Sequence, residues 1–89
     1  MEFEWDENKN KSNQEKHGID FNDAKEVFND ENSKVSQDLR KDYGEIRWRI
    51  IGKIYGSIIS VIYTMRDKAV RIISARKASR KERDEYNNK

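Results

Sequence analysis

The chain has 89 residues, 34% of them hydrophobic and 40% charged, with a formal net charge of +2. So short a chain has room for one hydrophobic core, and residues 1–89 read as a single domain. The absence of cysteine excludes disulfides, thiolate nucleophiles and thiolate metal sites, and no stretch approaches the roughly 18 apolar residues of a spanning helix. The opening MEFEWDENK is acidic and lacks the apolar stretch of a signal peptide, so the expectation is a soluble, cytoplasmic chain.

Phe3 and Trp5 alternate with Glu2, Glu4 and Asp6, which suits a short edge strand or an extended arm. Asp6 is placed to cap a helix that runs to about His17 and ends at Gly18. That helix is almost wholly polar, so neighbours such as Trp5 and Ile19 must fix its orientation. Asp20 caps a second helix in which Phe21, Ala24, Val27 and Phe28 form one apolar stripe, expected to lie on a sheet.

From Val35 the period changes to two. A short strand is predicted around residues 34–39, followed by a turn at Asp42-Tyr43-Gly44. In the longer strand that follows, Ile46, Trp48, Ile50, Gly52 and Ile54 share one face, and Glu45, Arg47, Arg49 and Lys53 the other. Tyr55-Gly56 turns the chain into a strand from Ser57 to Arg66, whose core set is Ile59, Val61, Tyr63 and Met65. Asp67-Lys68 leads into a strand over residues 69–75, where Ile72 and Ile73 together indicate cover on both faces. Ser79-x-x-Glu82 has capping-box spacing and predicts a short terminal helix from Arg80, with Arg83 and Tyr86 on a shared side. The expected fold is α+β: a small antiparallel sheet, two N-terminal helices and a short C-terminal helix, with the helices on one face.

Charge is unevenly divided. Residues 1–45 hold 7 Lys/Arg against 13 Asp/Glu (7 − 13 = −6), and residues 46–89 hold 12 against 4 (12 − 4 = +8). Such asymmetry fits either a polyanion-binding surface or a solvated basic helix.

Several segments, in order, resemble the BrnT toxin family. They are Phe3-x-Trp5-Asp6, Asn8-Lys9, Asn13, Lys16-His17-Gly18-Ile19, Phe21 and Ala24-x-x-Val27-Phe28, then, past a variable stretch at 29–44, Glu45-x-Arg47, Gly52 and Thr64-x-Arg66. The pattern continues through Arg71-Ile72-Ile73-Ser74-Ala75-Arg76 and closes with Ala78, Glu82-Arg83 and Tyr86. The resemblance implies a RelE-like fold and an RNA-cleaving toxin of a type II toxin–antitoxin pair. It also implies a BrnA-type antitoxin with a ribbon-helix-helix DNA-binding part, and a complex that represses its own operon.

On that reading the chain is an endoribonuclease that inhibits translation and uses neither metal nor organic cofactor. The chemistry needs a group to activate the ribose 2′-hydroxyl, positive charge for the transition state, and a donor for the leaving 5′-oxygen. Arg66 and Arg76, at strand ends, are the first candidates for phosphate clamps, followed by Arg47 and Arg71. The structural alternative for these arginines is pairing with surface carboxylates. His17, the only histidine, is a candidate acid or base or a helix-terminal capping group.

Glu45 is an alternative base, Tyr86 a proton donor or a core anchor, and Lys16 and Arg83 further RNA contacts. Arg49 and Lys53 read as general electrostatic surface, and Trp5 and Trp48 as packing residues. One histidine without a recognisable carboxylate pair names no metal site, and Gly18, Gly44, Gly52 and Gly56 fit no nucleotide-binding spacing. The alternative function is a non-catalytic nucleic-acid-binding module.

Overall fold

A computed structural model describes residues 1–88. The side chain of Asp6 accepts hydrogen bonds from the backbone N–H groups of Asn8 and Lys9 and so opens α1, Glu7–His17. Gly18 ends it at φ 70°, a left-handed conformation that glycine adopts without a Cβ penalty.

Having no apolar stripe, α1 docks through two buried amides. Asn10 donates to Asp20 and accepts from the Phe21 N–H, which ties α1 to the next helix. Asn13 donates to the carbonyls of Ile19 and Ala75 and accepts from the Ala75 N–H. Asn13 thereby pairs with both backbone groups of Ala75 much as a neighbouring strand would.

The predicted second helix is shorter and tighter than one continuous α-helix. A single turn, α2 (Phe21–Ala24), passes into a 3₁₀ turn, Lys25–Asn29. Phe21, Ala24 and Val27 are fully buried against the sheet. Gly52 explains how closely this segment packs, because a Cβ there would lie 2.9 Å from the Val27 Cβ and 3.1 Å from its carbonyl oxygen.

The sheet comprises β1 (Glu2–Glu4), β2 (Lys34–Gln37), β3 (Trp48–Ile54), β4 (Ser57–Arg66) and β5 (Ala69–Lys77), in the order β1-β5-β4-β3-β2. It is mixed rather than antiparallel, because β1 runs parallel to β5. The last helix is α3, Arg80–Asn87, opened by a capping box in which the Glu82 N–H donates to Ser79 Oγ and Glu82 accepts from the Ser79 N–H. β3 begins two residues later than its alternation suggests, which leaves Ile46 exposed, and Met65, read as core, is also exposed.

The helices occupy both faces, contrary to the sequence expectation. Ile50 and Ile54 pack with Phe21, Ala24 and Val27 on one side, whereas Ile51 packs with Ala78, Tyr86 and Ile58 on the other. Trp5 and Trp48 are packing residues, partly buried against the larger core. The paired isoleucines of β5 also differ from expectation. Ile62 pairs with Ser74 and Tyr63 with Ile72, so Ile73 is an extra residue in a bulge rather than a second core residue.

Candidate functional site

The small α3 covers only the end of its sheet face near Ile51, Ile58 and Ser60 and leaves the other half open to the side chains that flank it, with Ile62 and Thr64 buried at its centre and residues 37–40 along one border. Strand register identifies what the open half carries. Arg49 pairs with Ile62, Ile62 with Ser74, Thr64 with Arg71, and Ser60 with Arg76, and cross-strand partners point to the same side. Arg66 shares this face by alternation along β4, as does Arg47 ahead of β3, where its carbonyl accepts from the Asp38 N–H and extends the ladder.

Arg47, Arg49, Arg66, Arg71 and Arg76 therefore share one face, contributed by three sheet strands and the approach to one of them, and are strung along about 20 Å of β4 from the level of Ser60 to Arg66. Four of them meet carboxylates. Arg47 pairs with Glu45 at 2.9 Å and lies over the Tyr43 ring, 4.0 Å from its centroid. Arg71 pairs with Glu4 of β1 at 3.0 Å. Arg76 grips Glu82 through two nitrogens at 2.7 and 3.1 Å, and Arg49 reaches Glu82 at 3.1 Å and Glu85 at 3.0 Å. Arg66 has no ion-pair partner among the described residues.

Glu82 organises the centre of this array. Its side chain is 3% exposed, and its two oxygens also accept from Ser60 Oγ at 3.0 Å and the Ser79 N–H at 2.8 Å. Burial acts to raise its pKa, but the Arg76 hydrogen bonds and charge, with the Ser79 N–H, outweigh that and hold it at about 2. A carboxylate so acidic and so fully bonded is a fixed anion, unsuited to taking a proton near neutral pH.

Beside it, a cleft of about 160 Å³ is lined by Asp38, Leu39, Arg40, Arg49, Ile62 and Arg76 among others. Arg40 holds Asp38 in a two-point pair at 2.8 and 2.9 Å, and these bonds draw the Asp38 pKa down to about 2.

Lys16 and His17 lie on the last turn of α1, away from the arginines but not remote from them. They line a hollow of about 200 Å³ with Lys9, Ser12, Ile73 and Ser74. Ser74 is the register partner of Ile62, which lines the arginine cleft, so the two hollows flank one cross-strand pair. The β5 bulge and the Asn13 bonds to Ala75 hold α1 against this rim.

Two further candidates stand apart. Tyr86 is buried and donates its hydroxyl proton to Asp30, a bond that together with burial pushes its pKa up to about 12. Arg83 donates to the Ala78 carbonyl at 2.9 Å, across the first turn of α3. Sequence reasoning left Arg49 and Glu82 out of the site. The available signal was the parity Arg49 shares with Arg47 along β3, together with the capping position of Glu82 at the start of α3.

No cluster of three or more His, Asp or Glu side chains suited to a metal ion occurs among the described residues, and no helix there is long and apolar enough to cross a membrane. The family model of BrnT, the ribonuclease toxin of type II toxin–antitoxin systems, matches residues 5–82. No curated protein matches the chain. The matched span contains all five arginines of the open face and Glu82, whereas Arg83, Glu85 and Tyr86 lie beyond it.

Proposed function

The chain belongs to the BrnT family of ribonuclease toxins of type II toxin–antitoxin systems, and from that premise we propose a metal-independent endoribonuclease that cuts RNA and so stops translation. The observation that carries this reading is the half-face along which Arg47, Arg49, Arg66, Arg71 and Arg76 are arrayed, a basic track suited to a run of backbone phosphates. Guanidinium groups suit this work, since their planar forks bind phosphate oxygens in pairs and remain charged at any physiological pH.

In the proposed reaction the ribose 2′-hydroxyl loses its proton and attacks phosphorus. The bond to the 5′-oxygen breaks, and that oxygen takes up a proton, leaving a 2′,3′-cyclic phosphate. Arg66 and Arg76, roughly 20 Å apart by the rise of β4 from Ser60 to Arg66, each grip a phosphate of the RNA backbone. Arg47 and Arg71 extend the contact between them and stabilise the charge that builds on the phosphate oxygens. Glu45, held beside Arg47, and His17, on the β5 rim with Lys16, are the proton-transfer groups. Tyr86, whose hydroxyl is engaged by Asp30, serves this reading better as the anchor of α3 than as an acid.

The partner in this proposal is a BrnA-type antitoxin with a ribbon-helix-helix part, which neutralises the toxin in the cytoplasm and brings the complex to operator DNA. The scaffold is read as RelE-like. The test is cleavage of a defined RNA in EDTA by the wild type and by Arg66→Ala, Arg76→Ala, Glu45→Gln and His17→Ala, each checked for folding. Cyclic phosphate ends, with losses of roughly 10²-fold or more in the arginine variants, are expected. RNA that is bound but left intact would point instead to a non-catalytic binding module.

A further inference from the structure

The two carboxylates on Arg49 differ in kind. Glu82 is 3% exposed at its side chain and accepts five hydrogen bonds, from Arg49, Arg76 (two), Ser60 and Ser79, so it cannot leave without dismantling the start of α3. Glu85 is 40% exposed at its side chain, meets Arg49 at 3.0 Å, and makes no other ion pair among the described residues. α3 keeps its other attachments without Glu85, because Tyr86 is buried and bonded to Asp30 and Glu82 is fixed by the capping box.

Charge gives the consequence. Arg49, Arg76 and Glu82 together sum to +1 (+2 − 1), and adding Glu85 brings the group to zero (+2 − 2). An exposed ion pair of this sort is weak and exchangeable, whereas the buried part of the group is permanent. Arg49 and Arg76 also both line the cleft of about 160 Å³, so an anion entering it meets two guanidinium groups whose positions Glu82 has already fixed.

We propose that Arg49 and Arg76 form a phosphodiester subsite for RNA, and that the Glu85 carboxylate, which holds the Arg49 guanidinium at rest, is displaced from it when the RNA backbone enters. This rests on the ribonuclease reading for the identity of the ligand. It assigns Arg49 to substrate binding and gives α3 a second task, that of screening the basic face until a stronger anion arrives.

The test is a double-mutant cycle on binding of a fluorescent 2′-O-methyl RNA, which presents the phosphates but has no attacking hydroxyl. Glu85→Gln tightens binding roughly two- to five-fold, the size of an exposed ion pair removed from competition. Arg49→Ala weakens binding, and Glu85→Gln added to Arg49→Ala then changes nothing. Arg49→Gln, which keeps a donor for the buried Glu82 carboxylate but carries no charge to pair with Glu85, replaces Arg49→Ala if the latter fails to fold.

Equal tightening in both backgrounds would reduce Glu85 to a general charge effect and overturn the subsite, as would no effect of Glu85→Gln at all. Cleavage of all-ribose RNA by the same proteins separates the two readings. Cleavage without the coupling removes the subsite alone; the coupling without cleavage retains the subsite and removes the ribonuclease.

Discussion

Replacing Asn13 with Ala should cost more stability than any other alanine substitution on α1. The amide makes three hydrogen bonds, at 2.9 Å to the Ile19 carbonyl, 2.9 Å to the Ala75 carbonyl and 3.0 Å from the Ala75 N–H. Ala75 is fully buried, so both its backbone groups lose a partner that water cannot easily replace. Each orphaned group costs about 1–3 kcal/mol, and a gain of a few tenths in helix propensity offsets little, so the loss is about 2–5 kcal/mol. Against the roughly 4–13 kcal/mol expected for a domain of this size, that is a drop in Tm of about 10–25 °C. Urea and thermal unfolding followed by circular dichroism measure it, with the exposed Asn8→Ala in the same helix as a control expected within about 0.5 kcal/mol. A loss below about 1 kcal/mol for Asn13→Ala would show that the amide does not fix α1 to β5.

Gly52→Ala places a methyl group 2.9 Å from the Val27 Cβ, and the 3₁₀ turn must move off β3 at a cost of about 1–3 kcal/mol. Unchanged urea midpoints would refute that close approach. Glu82→Gln keeps the capping geometry but removes a buried anion between Arg49 and Arg76, and it loses about 3 kcal/mol at pH 7. The Glu82 pKa falls from 4.5 to about 2 on folding, so its ionised form stabilises the protein fully above 4.5 and that contribution fades as pH falls toward 2. The wild type and Glu82→Gln should therefore converge between pH 4.5 and 2, while Asp38, also held at about 2, titrates in both and cancels. Unfolding curves that stay parallel from pH 7 to pH 3 would contradict this.

Local signals carried much of the fold. The Asp6 and Gly18 caps delimit α1, Ser79-x-x-Glu82 starts α3, and the alternation from Ser57 to Arg66 is β4 to the residue. The errors came where the deciding contact is distant in sequence. Three alternating residues cannot reveal that β1 lies parallel to β5, and neighbouring isoleucines look the same whether both faces are covered or one residue is bulged. The capping box places Glu82 at the start of α3 but not under which face of the sheet. Arg49 accordingly reads as diffuse surface charge, because the carboxylate beneath it is 33 residues further on.

The same physics resolves the contradiction in composition, since a chain with 34% hydrophobic and 40% charged residues is expected to remain disordered. Here polar groups do part of the docking that apolar stripes do elsewhere. Asn10 and Asn13 attach α1, Asp30 holds the Tyr86 end of α3, and Glu82 holds its start, with no buried side-chain nitrogen or oxygen left without a partner among the described residues. Directional bonds of this kind tolerate no slip in register, whereas an apolar stripe can slide by a turn at modest cost. Asn13 therefore sets not only how firmly α1 is held but which residues of its last turn reach the rim of β5. Lys16 and His17 stand beside Ser74 because an amide three to four residues earlier is bonded to Ala75, and the edges of the arginine face are positioned by residues that never touch it.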